Sequence, residues 1–148
     1  MAETLAFTKI LNLCENEKDI AQKAYYQSMN SFEKTASELY TLLRKKENAE
    51  ESYDFYIQSP TPIEQIKVQA LYIEKLNKQI NELQQVVQRA RNDMESKQVS
   101  LSDAHVEVKK FEKIIEIRND ADEKLKKRVE SNFMDEISIT QYFGHKNR

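Results

Sequence analysis

Glycine, proline and cysteine are almost absent from this sequence, and each scarcity excludes something. The only glycine is Gly144, close to the C-terminus. Without an earlier glycine the chain has no phosphate-cradling loop of the dinucleotide or nucleotide-triphosphatase type. The two prolines, Pro60 and Pro62, stand one residue apart, so the chain is punctuated once. Cys14 is the lone cysteine; it cannot form an internal disulfide and fits a reducing compartment. Together with His105 and His145 it cannot build a zinc site of recognised spacing. No apolar run approaches the roughly 18–20 residues needed to span a bilayer. Glu3, Lys9, Glu15 and Glu17 fall where a signal peptide needs unbroken apolar residues. A cytoplasmic protein without a membrane-inserted segment is the expectation.

What is present is charge and helix-forming residues. Charged residues make up 32% of the chain, yet the net charge is only −2, with both signs interleaved. That is a poor footprint for nucleic acid, which needs a clustered positive surface. Carboxylates are plentiful, but on extended helices they face water, and without a partly dry pocket they cannot be tuned for acid–base work. The chain is therefore expected to be a non-enzyme, needing no cofactor and no metal. His105, beside the seam, reads as a flanking surface histidine. Long runs of Glu, Lys, Gln, Asn and Leu without breakers point to an all-α protein of long helices.

The segment Gln58-Ser59-Pro60-Thr61-Pro62 divides those helices. Proline lacks an amide hydrogen and clashes with the preceding turn, so a helix arriving at Ser59 must stop. Thr61 is placed to cap a new helix, with Pro62 at its first position and Glu64 completing a capping box. This predicts a single coiled-coil domain over residues 1–148, with helix 1 over about 4–57, a turn at 58–61, helix 2 over about 62–138 and a disordered tail from about 144 to 148.

Alternating steps of three and four from Leu11 reach Cys14, Lys18, Ala21, Tyr25, Ser28, Phe32, Thr35, Leu39, Leu42, Lys46, Ala49, Tyr53 and Tyr56. Ten of these fourteen positions are apolar or aromatic, which marks an a/d seam, and Phe7 extends it backwards. After the prolines the same count runs from Ile66 through Gln69, Ile73, Leu76, Ile80, Leu83, Val87, Ala90, Met94, Lys97, Leu101, Ala104, Val108 and Phe111 to Ile115. Thirteen of those fifteen are apolar. The next two steps land on Arg118 and Asp122, where the stripe fails.

A chain that reverses near residue 60 pairs positions whose numbers add to about 120, because both helices advance at the same rise per residue. Phe32 then faces Val87 and Ala90, Leu39 faces Ile80 and Leu83, and Phe7 faces roughly Glu112 to Ile115. Past about residue 118 the second helix has no partner left, where the apolar stripe breaks. The expected fold is a long antiparallel two-helix coiled-coil hairpin whose second helix overhangs the first, a rod of roughly 80 Å and 110 Å helices. On the overhang a weaker apolar row continues at Leu125, Val129, Phe133 and Ile137, beside the basic stretch Lys124-Leu125-Lys126-Lys127-Arg128. A helix exposing such a row docks on another protein or on a copy of itself. A second candidate surface follows the turn, where Tyr72, Leu76, Gln79 and Leu83 share one helical face.

Several stretches, in this order, resemble the FliJ family of the flagellar type III export apparatus. They are AFTKILNLCENEKDIA at the N-terminus, LYIEKLNKQI after the turn, VEVKKFEKIIE further on, and MDEISITQYF with its Met134-Asp135-Glu136 element. The resemblance spans nearly the whole chain. It implies a rod similar to the central stalk of rotary ATPases, which inserts into the hexameric ring of the export ATPase and promotes hydrolysis. It also implies contact with the cytoplasmic domain of the export gate protein FlhA and escort of export chaperones. The location implied is cytoplasmic, peripheral to the inner-membrane apparatus, with the free protein a monomer. Carried over by position, the gate-binding face is Tyr72, Leu76, Gln79 and Leu83, with Gln79 polar where a small apolar residue is expected. The ring-binding end combines Phe7 and Leu11 with Leu125, Val129 and Phe133.

The competing reading is a homodimeric coiled-coil scaffold in which the overhang's row pairs with itself; sedimentation separates it from an elongated monomer. A nucleic-acid-gripping arm would need a basic stripe and steeply salt-dependent binding.

Overall fold

The computed structural model describes residues 2–146, and side chains through Gly144. It holds two helices, α1 (Ala2–Gln58) and α2 (Ile63–Lys146), and no strand among the described residues. Their length follows from composition, since neither interior contains proline and good helix formers dominate. α1 stops one residue before Ser59, as the prolines require. The start of α2 differs from expectation by one residue. The carbonyl of Pro62 accepts the first bonds, from the Gln65 amide at 3.1 Å and the Ile66 amide at 3.3 Å. Pro62 is thus the cap, and Thr61 forms no cap bond. Thr61 precedes a proline, which drives it to extended backbone and leaves it one residue outside the first turn. α2 also continues past 138, through the tail expected to be disordered, as far as Lys146. Nothing between Asn119 and Phe143 breaks a helix, and Gly144 keeps a negative φ. Asn147 and Arg148, the last of that tail, lie outside the described residues.

Packing falls into two units. In the unit Asp19–Ser102, α1 and α2 run antiparallel about the turn. Ser28, Ala49, Leu76, Ile80 and Val87 are buried, and the remaining seam positions are half-buried. The core is thus one side chain wide on each helix. Arg91 lies over the ring of Phe32 at 5.5 Å, and Gln69 Nε2 donates to the Ala49 carbonyl at 3.0 Å, both in the expected antiparallel register. Polar residues that interrupt the seam are satisfied close by. Ser28 donates to the Tyr25 carbonyl at 2.7 Å, Thr35 shares its hydroxyl between the Ser31 and Phe32 carbonyls at 3.1 Å, and Lys46 pairs with Glu50 at 3.8 Å. Short hydroxyl side chains can return to their own helix backbone, so a buried serine costs little here. No described buried side-chain polar atom lacks a partner.

The second unit joins Met1–Lys18 to Asp103–Arg148. Phe7 meets Phe111 with ring centroids 6.2 Å apart, and Val108 is buried beside them. Arg118 closes this seam. Its guanidinium carbon sits 4.6 Å from the centre of the Phe7 ring, and its Nη1 reaches Glu3 Oε2 at 2.6 Å. Beyond Arg118 the packing ends: every side chain from Asn119 to Gly144 is exposed.

Candidate functional site

No helix is long and apolar enough to cross a membrane among the described residues. Nor do any three of their histidines, cysteines and carboxylates gather as metal ligands. What the molecule offers instead is surface, and the expected site residues separate into three groups.

Leu125, Val129 and Phe133 stand on the overhang, about 60% exposed each, with no part of α1 beside them. They are spaced by four, so they follow one slanting ridge of the helix. Ile137 extends the ridge, and Met134, Ile139 and Phe143 are exposed on the same stretch. The neighbouring charges are Lys124, Lys126, Lys127 and Arg128, then Glu130, Asp135 and Glu136. Lys127 pairs with Glu123 at 3.5 Å.

Phe7 and Leu11 do not join that row. Both are half-buried in the seam with residues 103–118. Phe7 reaches the Arg118 clamp instead. Guanidinium and carboxylate meet over an aromatic face, a geometry in which the cation interacts with the ring quadrupole and the anion together. The Arg118 hydrogen bond and charge hold the Glu3 carboxyl below its usual range. Sequence reading placed Arg118 where the stripe fails, although the register put it opposite the acidic first turn of α1. Cys14 lies in the same seam; its packing there and the charges of Glu17 and Glu107 push its thiol up, away from the reactive thiolate.

The four residues after the turn divide as well. Tyr72 is 43% exposed and Gln79 is exposed. Leu83 is half-buried, and with Gln79 it lines an open groove completed by Glu38, Leu42, Lys45 and Val86. Leu76, by contrast, is 3% exposed and belongs to the core. It lies on the seam track, so the same residue cannot also meet a partner directly. Leu71, next to Tyr72 on the candidate surface after the turn, is exposed, and Phe55, Ile57, Ile63 and Val68, not singled out from the sequence, extend exposed apolar surface around the turn. The signal was available: these residues are apolar and off the seam count.

A family described as Flagellar FliJ protein matches residues 3–147. The Flagellar FliJ protein of Bacillus subtilis (strain 168) is 35% identical over 147 residues, covering 98% of this chain and 100% of the relative. No solved structure matches the chain.

Proposed function

The chain belongs to the FliJ family of flagellar proteins, and from that membership we propose that it is a non-catalytic component of the flagellar export apparatus. It works at the cytoplasmic side, peripheral to the membrane, as a stalk-like helical element that docks in the hexameric export ATPase and stimulates hydrolysis. The observation that carries this reading is the uncovered row Leu125, Val129 and Phe133 on a helix extension with no intrachain partner. Covering those three side chains offers on the order of 5 kcal/mol before the costs of association. Those costs are of the same size or larger, so the row anchors the contact and further surface of the helix end must add to it.

Phe7 and Leu11 serve that contact indirectly, by packing α1's first turns against α2 below the docking row. The Glu3–Arg118–Phe7 clamp then marks where the hairpin ends and the docking segment begins. The export gate meets the face after the turn through Tyr72, Gln79 and Leu83, with Leu76 supporting that face from within the seam. Chaperone escort uses the remaining exposed helix surface.

Truncation after Arg118 tests the central statement. The shortened chain keeps the entire seam, so it should remain helical while losing stimulation of the purified export ATPase. Undiminished stimulation by the truncated protein would show that the overhang is not the docking element.

A further inference from the structure

We propose that the overhang also binds the overhang of a second copy of this chain, antiparallel and two-fold, the two helices crossing at the level of Ser131. The row Leu125, Val129, Phe133 and Ile137 is exposed and has equal spacing, so it is symmetric about that level. A ridge of every fourth residue packs against an identical ridge when two helices cross at about −50°. Reversing one copy sets Leu125 against the second copy's Ile137 and Val129 against its Phe133. Every layer of that contact is apolar.

Charge selects the occupant and its direction. Lys124, Lys126, Lys127 and Arg128 form a basic block before the crossing level. Asp135 and Glu136 lie after it. Among the described residues only Lys127 of the basic block has an ion-pair partner within the chain. Of these charges Lys126 and Glu136 border the row, and an antiparallel copy brings its Glu136 to the level of Lys126 at both ends of the contact. Lys127 and Asp135, two residues from row positions, stand on the opposite side of the helix. A parallel copy would stack basic on basic and acidic on acidic, which is repulsive. The contact is small, below the roughly 1,200 Å² of stable pairs, so the association is weak and reversible. It departs from the monomer that family resemblance implies for the free protein. If the stalk reading holds, self-pairing covers the same row that the ring uses, and the two contacts exclude each other; that consequence alone rests on the proposed function.

Sedimentation equilibrium of the full-length free protein over roughly 10–500 μM tests the pairing. The expected result is a concentration-dependent dimer. Phe133→Asp should abolish it without changing helix content, since the row touches nothing else in the chain. Lys126→Gln combined with Arg128→Gln should weaken it roughly tenfold, as should raised salt. A wild-type protein that stays monomeric throughout, a dimer indifferent to Phe133→Asp, or a dimer tightened by the neutralising pair would each overturn the proposal. No ATPase enters this measurement, so loss of ring stimulation and loss of self-pairing are read independently.

Discussion

The first 56 residues of α2, Ile63 to Arg118, and the 28 that follow, Asn119 to Lys146, are one uninterrupted helix. Both stretches carry leucine, valine, phenylalanine and isoleucine at helical spacing. In the first, Leu76, Ile80, Val87 and Val108 are buried; in the second, Leu125, Val129 and Phe133 are not. Residue type cannot account for the difference. The buried set faces α1, whereas the exposed set has no described part of α1 beside it, the first turns of α1 lying against Phe111 and Arg118. Apolar side chains in the seam stabilise the hairpin; on the overhang they do nothing for the folded chain and are available for association.

The sharpest way to break that comparison is a large-to-small change at the best-covered seam position. Leu76→Ala should cost about 2–4 kcal/mol and lower the thermal midpoint of helix melting followed by circular dichroism. A neutral result would mean that the thin seam relaxes around the lost volume and is not what holds the helices together. Phe7→Ala should cost less, about 1–2 kcal/mol, because the ring is half-buried. Its effect should be local: amide exchange should accelerate in the first turns of α1 and in residues 107–118, while residues 19–102 keep their protection.

The Glu3–Arg118 pair is a smaller device, exposed to solvent and screened by salt. Its pH dependence has a fixed sign. Arg118 lowers the Glu3 carboxyl's folded-state pKa, so the pair's contribution is present above the ordinary carboxylate value and is lost as pH falls through the lowered folded value. Exchange protection of α1's first turns should therefore drop on acidification in the wild type and should not show that step in Glu3→Gln. Identical profiles in the two proteins would mean that the clamp does not order the end of the seam.

Much of this arrangement was readable from residue spacing alone. Every position reached by the three-and-four count from Phe7 to Tyr56 and from Ile66 to Ile115 is buried or half-buried, including Lys18, Lys46 and Lys97. Helical geometry assigns a side chain to a face whatever its chemistry, so the count survives polar interruptions. The register was readable for the same reason, as Phe7 against Phe111 shows. Elsewhere two local rules competed. Thr61 was a good cap by residue type, but the following proline held it outside the turn and the Pro62 carbonyl took over. Arg118 fails the seam count because the count scores apolarity; its long stem and planar head cover Phe7 while the charge stays with Glu3. Leu76 satisfied two patterns at once, the seam and the face after the turn, and burial went to the seam. What the docking row meets lies in a second molecule, and one chain's spacing carries only half of that contact.

The smallest expected effect on stability sharpens the comparison most. Phe133→Ala removes a larger side chain than Leu76→Ala does, yet should change the melting free energy by less than about 0.5 kcal/mol. Phe133 is 60% exposed, so little surface returns to water when the ring is removed and no cavity forms. Alanine is also the better helix former by a few tenths of a kcal/mol, which offsets part of what is lost. The same change should nevertheless weaken any association that covers the ring by roughly tenfold or more, since a buried phenylalanine contributes about 1.5–3 kcal/mol. Thermal melts and binding measured on one sample decide the matter. If Phe133→Ala lowered stability as much as Leu76→Ala, the overhang would have an intrachain partner after all, and its exposure could not be what equips it for docking.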